Sequence, residues 1–498
     1  MIRNDVALLV CALAGCAPRG SAPAEPPVTS SPLTRAETSA YVETSSFDDV
    51  VAFIAAVDAS PRLHATTFGT TVEGRALPLV VAGATSASAA DVRAAAGRTR
   101  VLVMANIHAG EVEGKEVVQM VTRELAQGEH VAWTDSLVLL FVPIYNADGN
   151  ERFSTENRSE QYGPFAGVGT RENAQGLDLN RDHMKLDSPE ARALVRLIDD
   201  YDPHVVVDLH TTNGSHHAYH LTYSAPLHPA TDSAIISTLR ERWLPDVTRT
   251  MHGDGWLAWY YGNLPIREWG MTGERGWYTF DYRPRFNTHY AGLRNRFGIL
   301  SEAYSYASFE DRIGATHSFV SRVLDWATAH ASEIRATTGA ADARDLRGMR
   351  LPLRAEIASA GDTVLLVGAV EERINPISGR PYLARLDSVT PERLPHNDRF
   401  DATEWEAVPA AYIVSDSATV RLLRAHGIEL TAAPTGDAAT VDYELEVFAV
   451  DSSHASPRAF QGHHEREVFG RWCATAGHIA DAWLVEMRQP LARLAFTL

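Results

Sequence analysis

The chain has 498 residues, 45% of them apolar, and a formal charge of −18. That length and apolar share suffice for large buried cores and predict a globular chain of two or three domains. The acidity argues against a nucleic-acid-binding role, which needs Lys and Arg against phosphates, and it is read as a solubility feature.

The N-terminus reads MIRNDVALLVCALAGCAPRGSAPAEPP. Arg3 precedes an apolar stretch over residues 6–13, well short of the roughly 20 residues of a membrane span but suited to a signal peptide. LAGC, residues 13–16, resembles the lipobox of bacterial lipoproteins, which implies acylation of Cys16 after removal of the segment before it. Residues 1–16 are therefore read as a signal peptide with lipobox, and the Pro, Ala and Ser that follow, residues 17–40, as a flexible tether. The expected location is the bacterial cell envelope, with a lipid anchor as the one membrane attachment. Three cysteines occur, Cys11, Cys16 and Cys473, too few for a disulfide framework.

Further along, SSFDDVVAFIAAVDAS has apolar residues at helical spacing behind an N-cap at Ser46. HATTFGTTVEGRALPLVVAG reads as a hairpin turning near Glu73 and Gly74. Apolar strands then alternate with amphipathic helices. RVLVMAN precedes a helix over 112–125, and SLVLLFVPIYN is the next strand. SPEARALVRLIDDY is a helix with Ser188 as N-cap and Pro189 at its first position, and HVVVDLH is a further strand. This rhythm predicts an α/β domain over 41–340 with a mixed, mostly parallel sheet flanked by helices. From LRGMRLPLRAEI onward strands dominate, interrupted by the helix SATVRLLRAHG, so residues 345–498 are read as a smaller β-rich accessory domain. Glu113 and Glu116 are expected to be solvated acids in a first helical turn.

Ligands of open α/β sheets bind beyond the carboxyl ends of the strands. His108, Asn146, His210 and Glu302 each sit at or just past the end of an apolar run. Catalytic zinc takes three protein ligands from His and Asp/Glu and leaves a position open. His108 and Glu111, three apart around Gly110, can reach one ion from a single loop, and His210 from another strand completes the set.

These residues carry a resemblance to the zinc metallocarboxypeptidases of the carboxypeptidase A type. The family's His-x-x-Glu matches HAGE (His108, Glu111), and its Asn-Pro-Asp-Gly matches NADG, with Ala147 in place of proline. Its Asp-x-Asn-Arg matches DLNR (Asp178, Asn180, Arg181), its later histidine matches His210 in DLHTTNG, and its catalytic glutamate matches Glu302 in ILSEAYSY. The motifs keep the family's order over residues 45 to 335.

The resemblance implies one zinc ion per chain held by His108, Glu111 and His210, with Asp178 orienting His108. It implies Glu302 as the general base acting on zinc-activated water. Asn180 and Arg181 would bind the terminal carboxylate of a peptide substrate, because a guanidinium matches that group with two parallel bonds. Arg158 is the candidate for stabilising the oxyanion, with Arg152 as its alternative. The tyrosine that covers the substrate in this family is one of Tyr278, Tyr282 and Tyr290. His216, His217 and His220 are read as pocket lining or surface, and His463 and His464 as surface. The expected activity is removal of C-terminal residues from peptides. The alternatives are a zinc amidase or endopeptidase acting on cell-wall peptides, a desuccinylase-like amidohydrolase, and an inactive binding protein of the same fold. Oligomeric state is not legible.

Replacing Cys16 by serine is expected to release the protein from membranes or leave its N-terminus unprocessed, since stable anchoring needs the several acyl chains of a mature lipoprotein. Fractionation combined with mass spectrometry of the N-terminal peptide checks this. An unmodified Cys16 with unchanged membrane partition would end the lipobox reading.

Overall fold

The apolar run around Val101 becomes a fully buried strand, and the computed structural model of the protein builds a large sheet around it; the structure describes residues 31–212, 214–265, 273–437, 444–476, 478–479 and 481–498. The signal peptide, the lipobox with Cys16 and the first part of the tether lie outside the described residues. The strands are β1 (Leu63–Thr70), β2 (Ala76–Ala82), β3 (Thr99–Ala105), β4 (Leu137–Val142), β5 (Val205–Thr211), β6 (Leu221–Ser224), β7 (Ala258–Tyr260), the short β8 (Trp277–Tyr278) and β9 (Phe297–Ala303). Eight of them form one sheet in the order β1-β2-β4-β3-β5-β9-β6-β7. The four central strands β4, β3, β5 and β9 run parallel, while β2 joins β4 and β6 joins β9 antiparallel. The fold is thus α/β with a mixed sheet. Strands buried on both faces need helices on both sides, which explains their unbroken apolar sequences.

The helices start where the sequence offers caps. Ser46 caps Phe47–Val57 in a capping box with Asp49, and Ser188 caps Pro189–Tyr201 with proline in its first turn. Glu113–Gln127 follows β3 and ends at Gly128, whose φ of 88° suits a residue without a Cβ. Phe309–Ala329, which follows β9, packs against it.

Beyond Arg350 the chain is built from antiparallel ribbons. β10 (Arg350–Ala358) pairs with β13 (Arg399–Ala407), and β11 (Asp362–Ile374) pairs with β12 (Pro381–Asn397). A long hairpin joins Leu445–Ala455 to Arg466–Thr475, and Ser417–Ala425 and Ala492–Thr497 are helices of this region. The β-rich part is docked on the rest. Leu346, Leu423, Val485 and Leu494 enter the same hydrophobic core as the large sheet, and β12 pairs with β8 through His396 and Asn397.

Two expectations about the first turn of Glu113–Gln127 are corrected. Glu113 and Glu116 are buried rather than solvated, because residues 44–45 close over Glu116 while Thr211 and Arg312 meet Glu113. Glu116 accepts from Thr44 Oγ1 at 2.7 Å, from the Ser45 amide at 2.7 Å and from Ser45 Oγ at 2.9 Å. Beside it Lys115 donates to the Ser45 carbonyl and to Asn150 Oδ1, and burial pulls its ammonium down to about 8 with Glu116 opposing. Glu113 faces Arg312 at 3.3 Å and accepts from Thr211 Oγ1. The last part of the segment read as a tether, residues 31–40, is itself ordered against the domain, with a helical turn at Arg35–Thr38, buried Ala36, and Glu37 paired with Arg123.

Glu116→Ala is therefore expected to destabilise the protein by about 3–5 kcal/mol, the cost of stranding buried donors and a buried ammonium. The denaturation midpoint should fall clearly, and a midpoint equal to wild type would show that this carboxylate is not needed.

Candidate active site

The carboxyl ends of β3, β5 and β9 lie side by side, and three segments meet there. β3 runs into the loop of His108 and Glu111, β5 ends on His210 and Thr211, and β9 carries Glu302 in register with His210. The loop after β3 is tight: a Cβ on Gly110 would come within 2.8 Å of Arg158 Cδ. The NADG segment braces it from the next strand. Asn146 Oδ1 accepts from the Gly149 amide at 3.0 Å, while its Nδ2 reaches the carbonyls of Ile107 and Arg171 at 3.4 and 3.1 Å.

His108 Nδ1 lies 3.0 Å from one oxygen of Glu111, and His210 Nδ1 lies 2.8 Å from the other. The far nitrogens face carboxylates: His108 Nε2 is 3.0 Å from Asp178 Oδ1, and His210 Nε2 is 3.1 Å from Asp208 Oδ2. One donor atom from each of His108, Glu111 and His210 lies within 4.8 Å of the other two, and the group can hold one metal ion. The donor set fits zinc: two imidazoles and a carboxylate, each imidazole backed by an acid that fixes its tautomer. Burial alone would raise Glu111 and lower His210. The histidines outweigh it and hold Glu111 well below the usual carboxylate range, while Asp208 and Glu111 raise His210 well above the ordinary histidine value.

Glu302 stands on the neighbouring strand with no ion-pair partner among the described residues, and burial pushes its carboxyl up to about 8, with His210 opposing and Glu111 adding. A carboxyl so placed can exchange a proton near neutrality. It lines a cavity of about 170 Å³ together with the three ligand candidates, Arg171, Asn180, Arg181, Tyr261, Phe280 and Phe286.

Asn180 and Arg181 follow Asp178 in a short turn, Leu179–Arg181, capped by the Asp178 carboxylate at 2.9 Å from the Asn180 amide. Asn180 Oδ1 accepts from the Asn287 amide and its Nδ2 lies 3.3 Å from His210 Nε2. The Arg181 guanidinium lies over the Phe286 ring at 4.0 Å and donates to the Asn180 carbonyl at 2.9 Å. Burial lowers it to about 10, with Asp178 opposing, so it stays a cation.

The two oxyanion candidates part company. Arg152 pairs with Glu73 at the surface. Arg158 reaches Glu111 at 3.2 Å, but its guanidinium also serves Gln161, the carbonyls of Thr211 and Thr212, and Ser305, and it does not line the cavity. Arg171, which the sequence reading passed over, does line it, 3.7 Å from Glu111 and 2.8 Å from Asp178. None of the three candidate tyrosines reaches the cavity. Tyr290 is buried against His426 and Arg294, Tyr282 packs on Phe400, and the Tyr278 hydroxyl donates to the Glu274 carbonyl. Tyr261 does reach it, with its hydroxyl accepting from Asn263 Nδ2 at 3.2 Å. His216, His217 and His220 pack among Tyr306, Tyr304 and Trp256 outside the cavity, and His463 and His464 are exposed.

Asp208 had a signal that was readable: two residues before His210 on one strand, it must face the same side. Arg171 and Tyr261 had none, since they reach the cavity from segments with no spacing relation to the motifs.

The family described as zinc carboxypeptidase matches residues 50–252. Carboxypeptidase 2 of Trichophyton rubrum is 27% identical over 142 residues, a match that covers 28% of this chain and 23% of that relative. Among solved structures, a metallo-carboxypeptidase from Burkholderia cenocepacia covers 58% of this chain and 70% of its own, at 17% identity and a TM-score of 0.43. Carboxypeptidase A from Helicoverpa armigera covers 59% and 75%, at 12% identity and a TM-score of 0.42. The segment that matches the zinc carboxypeptidase family, residues 50–252, holds all three ligand candidates, His108, Glu111 and His210.

Proposed function

We propose that this chain is an exported, zinc-dependent carboxypeptidase that hydrolyses the C-terminal bond of peptides bearing a free carboxylate. The observation that carries the proposal is the content of one cavity. It holds a metal-competent triad, a carboxyl of raised pKa, and two cations on its wall. The matched family segment stops short of Glu302, so that residue's role rests on its register with His210.

In this reading a peptide enters with its terminal carboxylate toward Arg181, whose planar fork offers two parallel bonds and whose stacking on Phe286 limits its rotamers. Asn180 holds the floor of that turn through Asn287. Zinc, when bound, supplies a Lewis acid to the site. Glu302 accepts the proton of the attacking water and returns it to the leaving amine, a double duty suited to a group poised near neutrality. Arg171 rather than Arg158 is the cation placed to neutralise charge growing on the attacked carbonyl oxygen, since it lines the cavity. Arg158 then fixes Glu111 from behind. Asp178 and Asp208 keep both imidazoles in the tautomer that leaves Nδ1 free to ligate. The export and lipid anchoring of the chain rest on the N-terminal sequence alone.

Loss of a ligand and loss of the base should separate. His108→Ala is expected to lose most bound zinc, whereas Glu302→Gln should keep zinc and fold normally yet lose turnover. Metal analysis and assays of both variants decide this. Full activity in Glu302→Gln would remove Glu302 as the base, and normal zinc in His108→Ala would remove the ligand set.

A double cycle tests the exopeptidase reading. Losing either Arg181 or the substrate carboxylate should cost about 2–5 kcal/mol, on the order of 30- to several-thousand-fold in kcat/KM. Amidating a good peptide should weaken wild type strongly and hardly change the residual rate of Arg181→Ala, because the shared interaction is already absent. Equal wild-type rates on acid and amide, or losses that simply add, would move the assignment to the amidase or endopeptidase class.

A further inference from the structure

The tip of the hairpin between Leu445–Ala455 and Arg466–Thr475 contacts the loop that carries Asn180 and Arg181, two residues of the cavity wall. At one end of that loop, Gln461 Nε2 donates to the Asp178 carbonyl at 3.4 Å, the same oxygen that accepts from the Arg181 amide at 3.0 Å. At the other end, His463 Nε2 and Asp187 Oδ2 are 2.7 Å apart. A third contact runs through Arg285. Its guanidinium lies 4.8 Å from the Phe460 ring and 5.7 Å from the Phe286 ring, which is the ring that Arg181 covers. Arg285 would repel Arg181 across so short a span, and it is compensated by Asp281 at 2.8 Å and by Glu465 of the hairpin at 3.1 Å.

We infer that residues 460–465 form a clamp that holds Arg181 in position, so that recognition of a substrate's terminal carboxylate depends on the C-terminal hairpin. The inference builds on the role proposed for Arg181. None of Phe460, Gln461, His463 and Glu465 lines the cavity, so they are positioning residues that act through the loop and through Arg285. Each contact is partly exposed and weak alone. All of them converge on one short turn, where a displacement of about an ångström is enough to impair a bidentate bond.

The test uses the full chain carrying Phe460→Ala, Gln461→Ala and His463→Ala together, with acid and amidated peptides as probes. The expected result is a KM for acid peptides raised about 5- to 30-fold, with kcat within about twofold and amidated peptides little affected. Bound zinc should be unchanged. Amide hydrogen exchange in residues 178–188 should speed up while Val205–Thr211 and Phe297–Ala303 stay protected. Should the triple variant fold poorly, His463→Ala alone, on an exposed side chain, repeats the measurement. If wild type treats acid and amide alike, the carboxylate role of Arg181 is lost, and the clamp is then judged by exchange alone. Unchanged exchange in 178–188 overturns the clamp, and so does an unchanged KM in an enzyme that does discriminate acid from amide.

Discussion

The site depends on one buried anion. Glu111 is 4% exposed, and a carboxylate so far from water must be met by partners or give up its charge. Its partners come from three stretches of chain: His108 from its own loop, His210 and the Thr211 amide from β5, and Arg158 from the loop beyond β4. Each of these is in turn held by a further group. Asp178 and Asp208 back the imidazoles, and the carbonyls of Thr211 and Thr212 receive Arg158. The arrangement is therefore rigid in advance of any ligand, which is what a metal site needs if geometry is to select the ion.

Glu302 illustrates how a sheet can set a proton affinity. Its strand neighbour His210 stabilises its charge while burial and Glu111 oppose it, and burial wins. Two carboxylates in one cavity thus take opposite states, Glu111 ionised and Glu302 poised near neutrality, because only Glu111 has both histidines against it.

Much of this was legible in the residues. Unbroken apolar runs named the central strands, and side chains placed just past their ends named His108, His210 and Glu302, because parallel strands deliver their carboxyl ends to one edge. Ser46 and Ser188 were readable as caps since a cap is a local device. What failed was non-local. Acids in a first helical turn usually face water, and nothing near Glu116 announces that Thr44 and Ser45, some seventy positions earlier, close over it. Arg158 matched by its place after Asn146, yet proximity in sequence does not say where a long side chain points, and Arg171 takes the cavity wall instead. Tyr261 escaped notice because it enters from the sheet edge beyond β7 rather than from the aromatic loop nearer Glu302.

The short helix Ala492–Thr497 is stitched to the middle of the chain. Arg493 reaches Asn295 Oδ1 at 3.0 Å, the Ala230 carbonyl at 2.8 Å and Asp232 at 2.9 Å, and Leu494 is fully buried in the core that also holds the strands of the site. During synthesis these partners wait for about two hundred more residues to leave the ribosome. Asn295 and Arg296 sit at the turn into β9, the strand of Glu302, so the last contacts to form there are those of Arg493 with Asn295. A nascent chain can thus build the strands of the sheet early, while the clasp on the turn into β9 closes only when nearly the whole chain has been made.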